Sequence, residues 1–431
     1  MANPLPDGPG DASEGAPGSA SAGRADGARR GAGDGGRARA GEGGRRVLLD
    51  ASPGPMHPVA RETLAAAVDA GWADPRRLHR EGRTARRLLD DARAVLAEGL
   101  GVRAEEVAFA PDGPTAVRWM AQGLTHAARR RGARVVASAV EHSAVLVPAR
   151  HAAALAGDAD LVEEVAVDHL GRVDLKAWPT AVSLPGTVAA FLQHANGEVG
   201  TIQPLGAALE ACRAAGVPLA VDAQSSLGRV APPVDYDVLA GDALSWGGPG
   251  GVGVLVVPSR TRWLRPGPVD PDAGLNGPSR HHPWVPLALA AAEAWQQTAS
   301  DREADAAQAR ALVDLVREAA AAVPDVEVVG DPQDRLPHVV TFSALYADGE
   351  ALVRELDRRG FAVASGSACT SSTLEPSHVL AAMGALTHGN VRVTLPLASV
   401  APHRAEDVRA FAAQVAPAVA AVRAELGAEH L

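Results

Sequence analysis

From residue 46 onward, short apolar runs alternate with alanine-rich segments whose apolar positions recur at helical spacing. The short runs predict buried strands at Val107–Ala110, Val135–Ala139, Val188–Gln193, Val217–Asp222 and Val252–Val257. The helical spacing predicts helices at Ala60–Ala70, Thr84–Leu100, Thr115–Ala128 and Leu205–Ala215. Because strands separated by helices of this length are typical of βαβ units, the pattern predicts an α/β fold with a mostly parallel sheet.

Toward the carboxyl end the pattern changes. A long helical stretch begins near Pro283–Trp295 and continues through Asp305–Ala322. Strand-like segments interleaved with helices follow at Val339–Ser343, Phe361–Ser365 and Val391–Leu395. We therefore predict a large α/β domain over residues 46–299 and a smaller α+β domain over residues 300–431.

Residues 1–45 differ from the rest of the chain. They are rich in Gly, Ala and Arg and almost lack large apolar side chains, so the composition predicts a disordered tail. No apolar segment of the kind found in a secretory signal follows a basic start, and the free thiols agree with a cytoplasmic location.

The overall composition excludes several classes of protein. The 431 residues are 47% hydrophobic, and the absence of an apolar run long enough for a membrane span argues against a membrane protein. The net charge of -10 argues against a general nucleic-acid binder. Two cysteines are too few for a disulfide scaffold or a Cys-rich zinc site, and we predict no metal. Lys176 is the only lysine, so a mechanism that needs a catalytic lysine must use it.

Candidate chemistry follows the predicted strands, because open α/β sheets bind ligands at the carboxyl ends of their strands. Glu141 and His142 follow one strand, His194–Gly200 follows another, and Asp222 ends a third. Each side chain also has a structural interpretation: Asp222 could cap a helix, and His142 could be a core residue. The glycines of 247–253 fit a tight turn better than a phosphate loop.

Cysteine provides a second candidate. Cys369 lies in the small, polar segment Ser365–Ser372, which is where a reactive thiol is expected. Cys212 lies in a helical segment, and we interpret it as a packing residue.

Several motifs in one order resemble the cysteine desulfurases, which are pyridoxal-phosphate (PLP) enzymes of the class V aminotransferase group with the fold-type-I architecture. They are Ala139–Val145, His194–Pro204, Val221–Gly228, Ser365–Gly384 and Val391–Leu395. The resemblance implies conversion of L-cysteine to L-alanine, with the sulfur left as a persulfide on the protein and passed to a sulfur acceptor protein. It also implies a homodimer or pairing with an active relative.

The same resemblance implies the roles of individual residues. Cys369 would be the nucleophile that carries the persulfide, and its thiolate is the attacking form. His142 would stack on the pyridine ring of PLP and move protons. Asp222 would pair with the pyridinium nitrogen, and Arg392 would hold the substrate carboxylate.

The sequence departs from this family at the position that should bind PLP covalently. Counting back from the turn at 248–253 places Ser245 at the position of the Schiff-base lysine. Leu244 replaces a histidine, and Asp242 replaces a hydroxyl that would face the phosphate. Lys176 lies in a predicted surface turn, and we interpret it as a solvated side chain. PLP is therefore expected from the resemblance, but its covalent attachment is not.

Other cofactor contacts are also altered. The phosphate loop contains Pro114, which lacks a backbone donor. Gly197 replaces an asparagine and Ser225 a glutamine beside the ring. The sequence leaves two main hypotheses open: a cysteine desulfurase impaired by Ser245, or a non-catalytic homologue that acts as a partner subunit or sulfur relay. A weaker third hypothesis is a different small-molecule site lined by Ser245, Leu244 and Trp246.

Overall fold

Strands and helices alternate through residues 46–71, 73–265, 284–365 and 376–427, which are the residues that the computed structural model describes. The strands are β1 (Val47–Leu48), β2 (Val107–Ala110), β3 (Arg134–Ser138), β4 (Val162–Val165), β5 (Thr187–Phe191), β6 (Leu219–Asp222), β7 (Val238–Asp242), β8 (Gly253–Val256), β9 (Val326–Val329), β10 (Val339–Ala344), β11 (Phe361–Ala362) and β12 (Asn390–Thr394). The helices are α1 (Pro58–Asp69), α2 (Arg80–Leu100), α3 (Gly113–Ala128), α4 (Ser143–Ala156), α5 (Trp178–Val182), α6 (Leu205–Ala215), α7 (Val285–Ala321), α8 (Gly349–Arg358), α9 (His378–Met383) and α10 (Arg404–Glu425).

The central sheet has seven strands in the order β2-β8-β7-β6-β5-β3-β4. β8 is antiparallel to both of its neighbours, whereas the other pairs in the sheet are parallel. All strands except β8 therefore point in one direction, and their carboxyl ends meet at one edge. The predicted α/β fold with a mostly parallel sheet is confirmed.

Both faces of this sheet are buried. Val107 and Phe109 of β2 belong to the core on one face, whereas Ala108 and Ala110 belong to the core on the other, as the alternation of side chains along a strand requires. Residues of α2, α6 and the first half of α7 complete the first core, and residues of α3 and α4 complete the second. Burial on both faces explains why the strands appear in the sequence as continuous apolar runs.

A smaller antiparallel sheet, in the order β12-β10-β9, has a core of its own. α8, α10 and the second half of α7 pack into this core, where the rings of Phe361 and Phe411 meet edge to face at 5.5 Å. α7 is a single helix of 37 residues that contributes to both cores. The proposed domain boundary between residues 299 and 300 falls inside α7, and the described residues belong to one compact unit, so the division remains a prediction.

Two strands of the seven-stranded sheet, the edge strand β4 and the interior strand β7, have no counterpart among the predicted elements. β4 (VEEV) carries two half-buried glutamates, and β7 (VLAGD) contains alanine and glycine, which have weak strand propensity. The predicted strand Phe361–Ser365 was too long. β11 ends at Ala362, and beyond it Ala364 pairs with β12 through an isolated bridge to Arg392.

Within the described residues, no helix is long and apolar enough to cross a membrane. The same residues contain no group of three or more His, Cys, Asp or Glu side chains that could hold a metal ion. Cys212 is buried in α6, and burial raises the pKa of its thiol to about 11.

Candidate functional site

The candidate site lies at the edge of the central sheet where the carboxyl ends of the parallel strands meet. β3 leads to His142, β6 ends at Asp222, and β7 ends at Asp242. Asp242 pairs in register with Gly253 of β8, which in turn pairs with Ala110 of β2, so the first turn of α3 begins beside Asp242. This arrangement follows from the strand order.

Asp222 and His142 interact at this edge. Asp222 is buried, and its two carboxylate oxygens accept hydrogen bonds from the backbone N and the side-chain Nε2 of Gln224 at 2.9 and 2.8 Å. Burial raises the pKa of Asp222, and the charge of His142 acts in the opposite direction. His142 caps α4, with its Nδ1 accepting from the amide of Ala144 at 3.1 Å. Nε2 is therefore the ring nitrogen that remains for a ligand.

Ser245 lies in the turn between β7 and β8 and is half-buried. Its Oγ is within hydrogen-bonding distance of the carbonyl oxygens of Leu227 (2.8 Å) and Asp242 (2.9 Å). Its own carbonyl accepts a hydrogen bond from Nε of the buried Arg229 at 2.7 Å. The Ser245 side chain thus binds backbone carbonyls, and a hydroxyl cannot form the imine that the family resemblance implies.

Lys176 is too far from Ser245 to supply an amine at that position. It is exposed in the loop after β4, where its amide donates to Asp174, and Asp174 is hydrogen-bonded to Ala166 at the end of β4. Four strand spacings separate β4 from β7, which corresponds to roughly 19 Å. This separation is beyond the reach of a lysine side chain.

The carboxylate of Asp242 lies against the first turn of α3. Its Oδ2 accepts the amide of Gly113 at 2.6 Å, and its Oδ1 accepts the amide of Leu244 at 2.9 Å. The next donor, the amide of Thr115, binds Oδ1 of the capping residue Asp112 at 2.6 Å. Pro114 has no amide hydrogen.

The surroundings of Asp242 are acidic. Burial raises the pKa of Asp242, and the charges of Asp112 and Asp222 raise it further, while the hydrogen bonds from the two amides lower it. Burial also raises the pKa of Glu141 to about 8, with a further contribution from Asp222. The carboxylates of Asp112 and Asp222 therefore disfavour an additional negative charge beside Asp242.

Gly197 and Ser225, which the sequence comparison with the family predicts at two cofactor-contacting positions, face each other. A Cβ added to Gly197 would lie 2.4 Å from Oγ of Ser225, so a side chain at position 197 would displace the serine. The two replacements are therefore packed together.

Arg392 lies in β12, on the smaller sheet, and is buried. Its Nη2 is 3.8 Å from Oδ1 of Asp50, and its Nε has no hydrogen-bond partner among the described residues. Burial raises the pKa of Glu198 to about 7, although the hydrogen bond from Ser377 and then the charge of Arg392 lower it. Glu198 follows β5, so Arg392 is oriented toward the same edge of the central sheet. The unpartnered Nε fits the carboxylate-binding role that the resemblance implies for Arg392.

Cys369 lies outside the described residues, so its predicted role remains a prediction. Two described residues close to the ends of this segment, Ala364 and Ser377, contact the candidate site. Ala364 exchanges backbone hydrogen bonds of 3.1 and 2.7 Å with Arg392, and Oγ of Ser377 donates to Oε2 of Glu198 at 2.9 Å.

Three carboxylates at the site were not given a role from the sequence. Glu141 and Glu198 belong to motifs that directly follow predicted strands, and this position could have identified them. Asp50 follows β1 and approaches Arg392 only through the fold, in a segment with no local signal.

The site can be compared with PLP, the cofactor that the resemblance implies. Asp222 and His142 suit the pyridine ring, because a carboxylate can pair with its nitrogen. Ser245 cannot form the imine, and Asp242 occupies the amide that a phosphate would need. The described residues therefore fit one end of PLP but neither its aldehyde nor its phosphate.

Comparisons with known proteins identify the same family that the sequence motifs resemble. Residues 59–411 match the family model described as aminotransferase class-V. The chain is 33% identical over 351 residues to a cysteine desulfurase of Cereibacter sphaeroides, an alignment that covers 78% of this chain and 87% of the relative. It is 30% identical over 361 residues to the cysteine desulfurase IscS of Dictyoglomus turgidum, covering 81% of this chain and 90% of the relative.

Solved structures share the fold. The apo structure of a cysteine desulfurase from Thermococcus onnurineus NA1 has a TM-score of 0.74 at 21% identity, covering 87% of this chain and 95% of that chain. A NifS-like protein also has a TM-score of 0.74 at 21% identity, covering 86% and 98%.

Proposed function

Because the chain belongs to the aminotransferase class-V family and is similar to cysteine desulfurases, we propose that it is a cysteine desulfurase homologue that does not carry out the PLP reaction of that family by itself. Its function is to accept and pass on sulfur at Cys369, as a partner subunit of an active relative or as a sulfur relay. PLP is the cofactor of the family, and no covalent PLP is expected in this chain.

The proposal is supported by Ser245, the residue predicted at the position of the Schiff-base lysine, whose side chain ends in a hydroxyl. It contacts the carbonyls of Leu227 and Asp242, and Lys176 lies four strands away. Since a hydroxyl cannot form an imine, the first covalent step of the family reaction has no amine in this chain.

Sulfur relay needs no such amine. The thiolate of Cys369 attacks the outer sulfur of a persulfide on a donor protein, and a new S–S bond forms as the donor S–S bond breaks. The donor leaves as a thiolate, and Cys369 holds the persulfide. The step transfers one sulfur atom without net oxidation. We expect the donor to be an active relative, bound in a mixed dimer or in a transient complex.

The test compares the purified protein with its two cysteine variants. After incubation with a persulfide-bearing active desulfurase, mass spectrometry should find one added sulfur atom on Cys369. Cys369→Ala should abolish the addition, and Cys212→Ala should leave it intact because Cys212 is buried. A persulfide that survives in Cys369→Ala would contradict the proposal.

A second candidate function is residual desulfurase turnover with PLP bound noncovalently. The proximity of Asp222 and His142 favours it, because these residues suit the pyridine ring. The visible spectrum separates the two functions. Imine absorbance that appears only after cysteine is added to protein and PLP, together with alanine formation, would favour this second function. Imine absorbance before any amino acid is added would contradict the argument from Ser245.

A further inference from the structure

We infer that the carboxylate of Asp242 is a built-in replacement for the cofactor phosphate, so that this pocket rejects phosphorylated ligands. The inference deepens the proposed function by stating which class of ligand the pocket excludes. The inference rests on the proposed function only because both take the edge of the central sheet to be the ligand pocket of the family.

The backbone amides in the first turn of α3 are already used as hydrogen-bond donors. A phosphate at a helix N-terminus is held by the amides of the first turn. In α3 the amide of Gly113 donates to Asp242, and that of Thr115 donates to Asp112. The amide of Ala116 donates to the carbonyl of Asp112 within the helix, and Pro114 has no amide hydrogen. The first turn of α3 therefore has no amide left for an external anion.

The space between the first turn of α3 and the ends of β7 and β8 is also too small for a phosphate. A Cβ added to Gly113 would lie 2.7 Å from Oδ2 of Asp242 and 2.4 Å from Oε1 of Gln224. A Cβ added to Gly253 would lie 2.2 Å from the carbonyl oxygen of Asp112. The helix turn and the strand ends are in direct contact, and even one additional carbon atom would clash. A phosphate group has five heavy atoms and requires Asp242 to move.

The negative charges around Asp242 also oppose a phosphate. Asp242 has Asp112 and Asp222 as electrostatic neighbours, and a phosphate would add negative charge beside all three. Arg118 of α3 is exposed and donates to Oγ1 of Thr115 at 2.6 Å, on the outer side of the turn. Geometry, hydrogen bonding and charge thus oppose a phosphate at the same place.

The test measures the contribution of a phosphate to binding, without any imine or sulfur chemistry. Pyridoxine 5′-phosphate and pyridoxine are titrated into the full chain by calorimetry, because neither has the aldehyde that reacts with amines. We expect wild-type protein to bind the phosphate ester no more tightly than the alcohol. Asp242→Ser frees the amide of Gly113 and should bind the phosphate ester at least tenfold more tightly than the alcohol. Asp348→Ser, the same change at the cap of α8, should show no such preference.

Three results would overturn the inference: a tenfold preference for the phosphate ester in wild-type protein, no gain in folded Asp242→Ser, or a crystal structure of wild-type protein with phosphate on the amides of Gly113 and Thr115. If Asp242→Ser does not fold by circular dichroism, Asp242→Asn takes its place. This variant should gain at least threefold, and the absence of a gain would also overturn the inference. Because no thiol takes part, the inference and the relay at Cys369 can fail independently.

Discussion

The stability of this protein should depend on pH through Glu141. This residue lies between β3 and α4 with 1% of its surface exposed. Its Oε1 accepts the amide of Gln193 at 2.6 Å, while its Oε2 has no hydrogen-bond partner among the described residues. Burial first, and then the charge of Asp222, raise its pKa to about 8. The folded protein therefore keeps a proton on Glu141 at a pH where the unfolded chain has lost it.

The size of the effect follows from proton linkage. Between the unfolded pKa of about 4.3 and the folded pKa of about 8, the folded state binds one more proton than the unfolded state. The free energy of unfolding therefore falls by about 1.4 kcal/mol for each pH unit of increase. From pH 5 to pH 7 the contribution of Glu141 should fall by about 3 kcal/mol. Below the pKa of Glu141 in the unfolded chain, the stabilisation from its raised folded pKa is fully present. Above its folded pKa, Glu141 causes no further change in the free energy of unfolding.

The assay is urea unfolding of wild-type protein and Glu141→Gln at pH values from 5 to 9. Glutamine keeps the Oε1 acceptor for Gln193 and removes the titrating group. The stability of the variant relative to wild type should therefore rise by about 3 kcal/mol from pH 5 to pH 7 and level off above about pH 8. Glu318→Gln, at an exposed position on α7, controls for the loss of a negative charge. A difference between Glu141→Gln and wild type that stays constant within about 0.5 kcal/mol over this range would refute the reasoning.

Three further predictions concern the site and its support. Ser245→Lys alone should give neither normal desulfurase activity nor strong imine absorbance with PLP, because the carboxylates of Asp242 and Asp112 still occupy the amides of Gly113 and Thr115. Full activity in this variant would contradict the interpretation of the site. Gly228→Ala should lower the free energy of unfolding by about 2–4 kcal/mol, because φ at Gly228 is 77° and the new Cβ would lie 2.3 Å from Cβ of Trp246. A loss below about 0.5 kcal/mol in thermal unfolding would be inconsistent with that contact. In folded Cys369→Ala, a thiol reagent at pH 8 should modify no cysteine until urea is added, because Cys212 is buried with a pKa raised to about 11; rapid modification would show that Cys212 is accessible.

Much of the fold could be predicted from local pattern. β2 coincides with the apolar run Val107–Ala110, and α6 coincides with the helical segment Leu205–Ala215. Both elements are buried in a way that the hydrophobic pattern reflects directly. β7 could not be predicted in this way, because alanine and glycine in its sequence are weak strand formers and the neighbouring strands stabilise it.

The chemical identity of side chains was also readable from the sequence. The single lysine and the serine before the 248–253 turn are facts of composition and order, so the prediction that no amine is available for an imine needed no coordinates. The roles of His142, Asp222 and Arg392 came from resemblance, and they remain predictions about function.

Only the tertiary structure decided what these side chains contact. Asp242 and Gly113 are 129 residues apart, and they meet because β2, β8 and β7 are adjacent and in register. Arg392 meets Asp50 because β12 and the segment after β1 pair in space. Hydrophobic pattern is a local property that reports burial, whereas the partner of a buried charge depends on which strands become neighbours. Which strands become neighbours depends on the packing of the whole sheet.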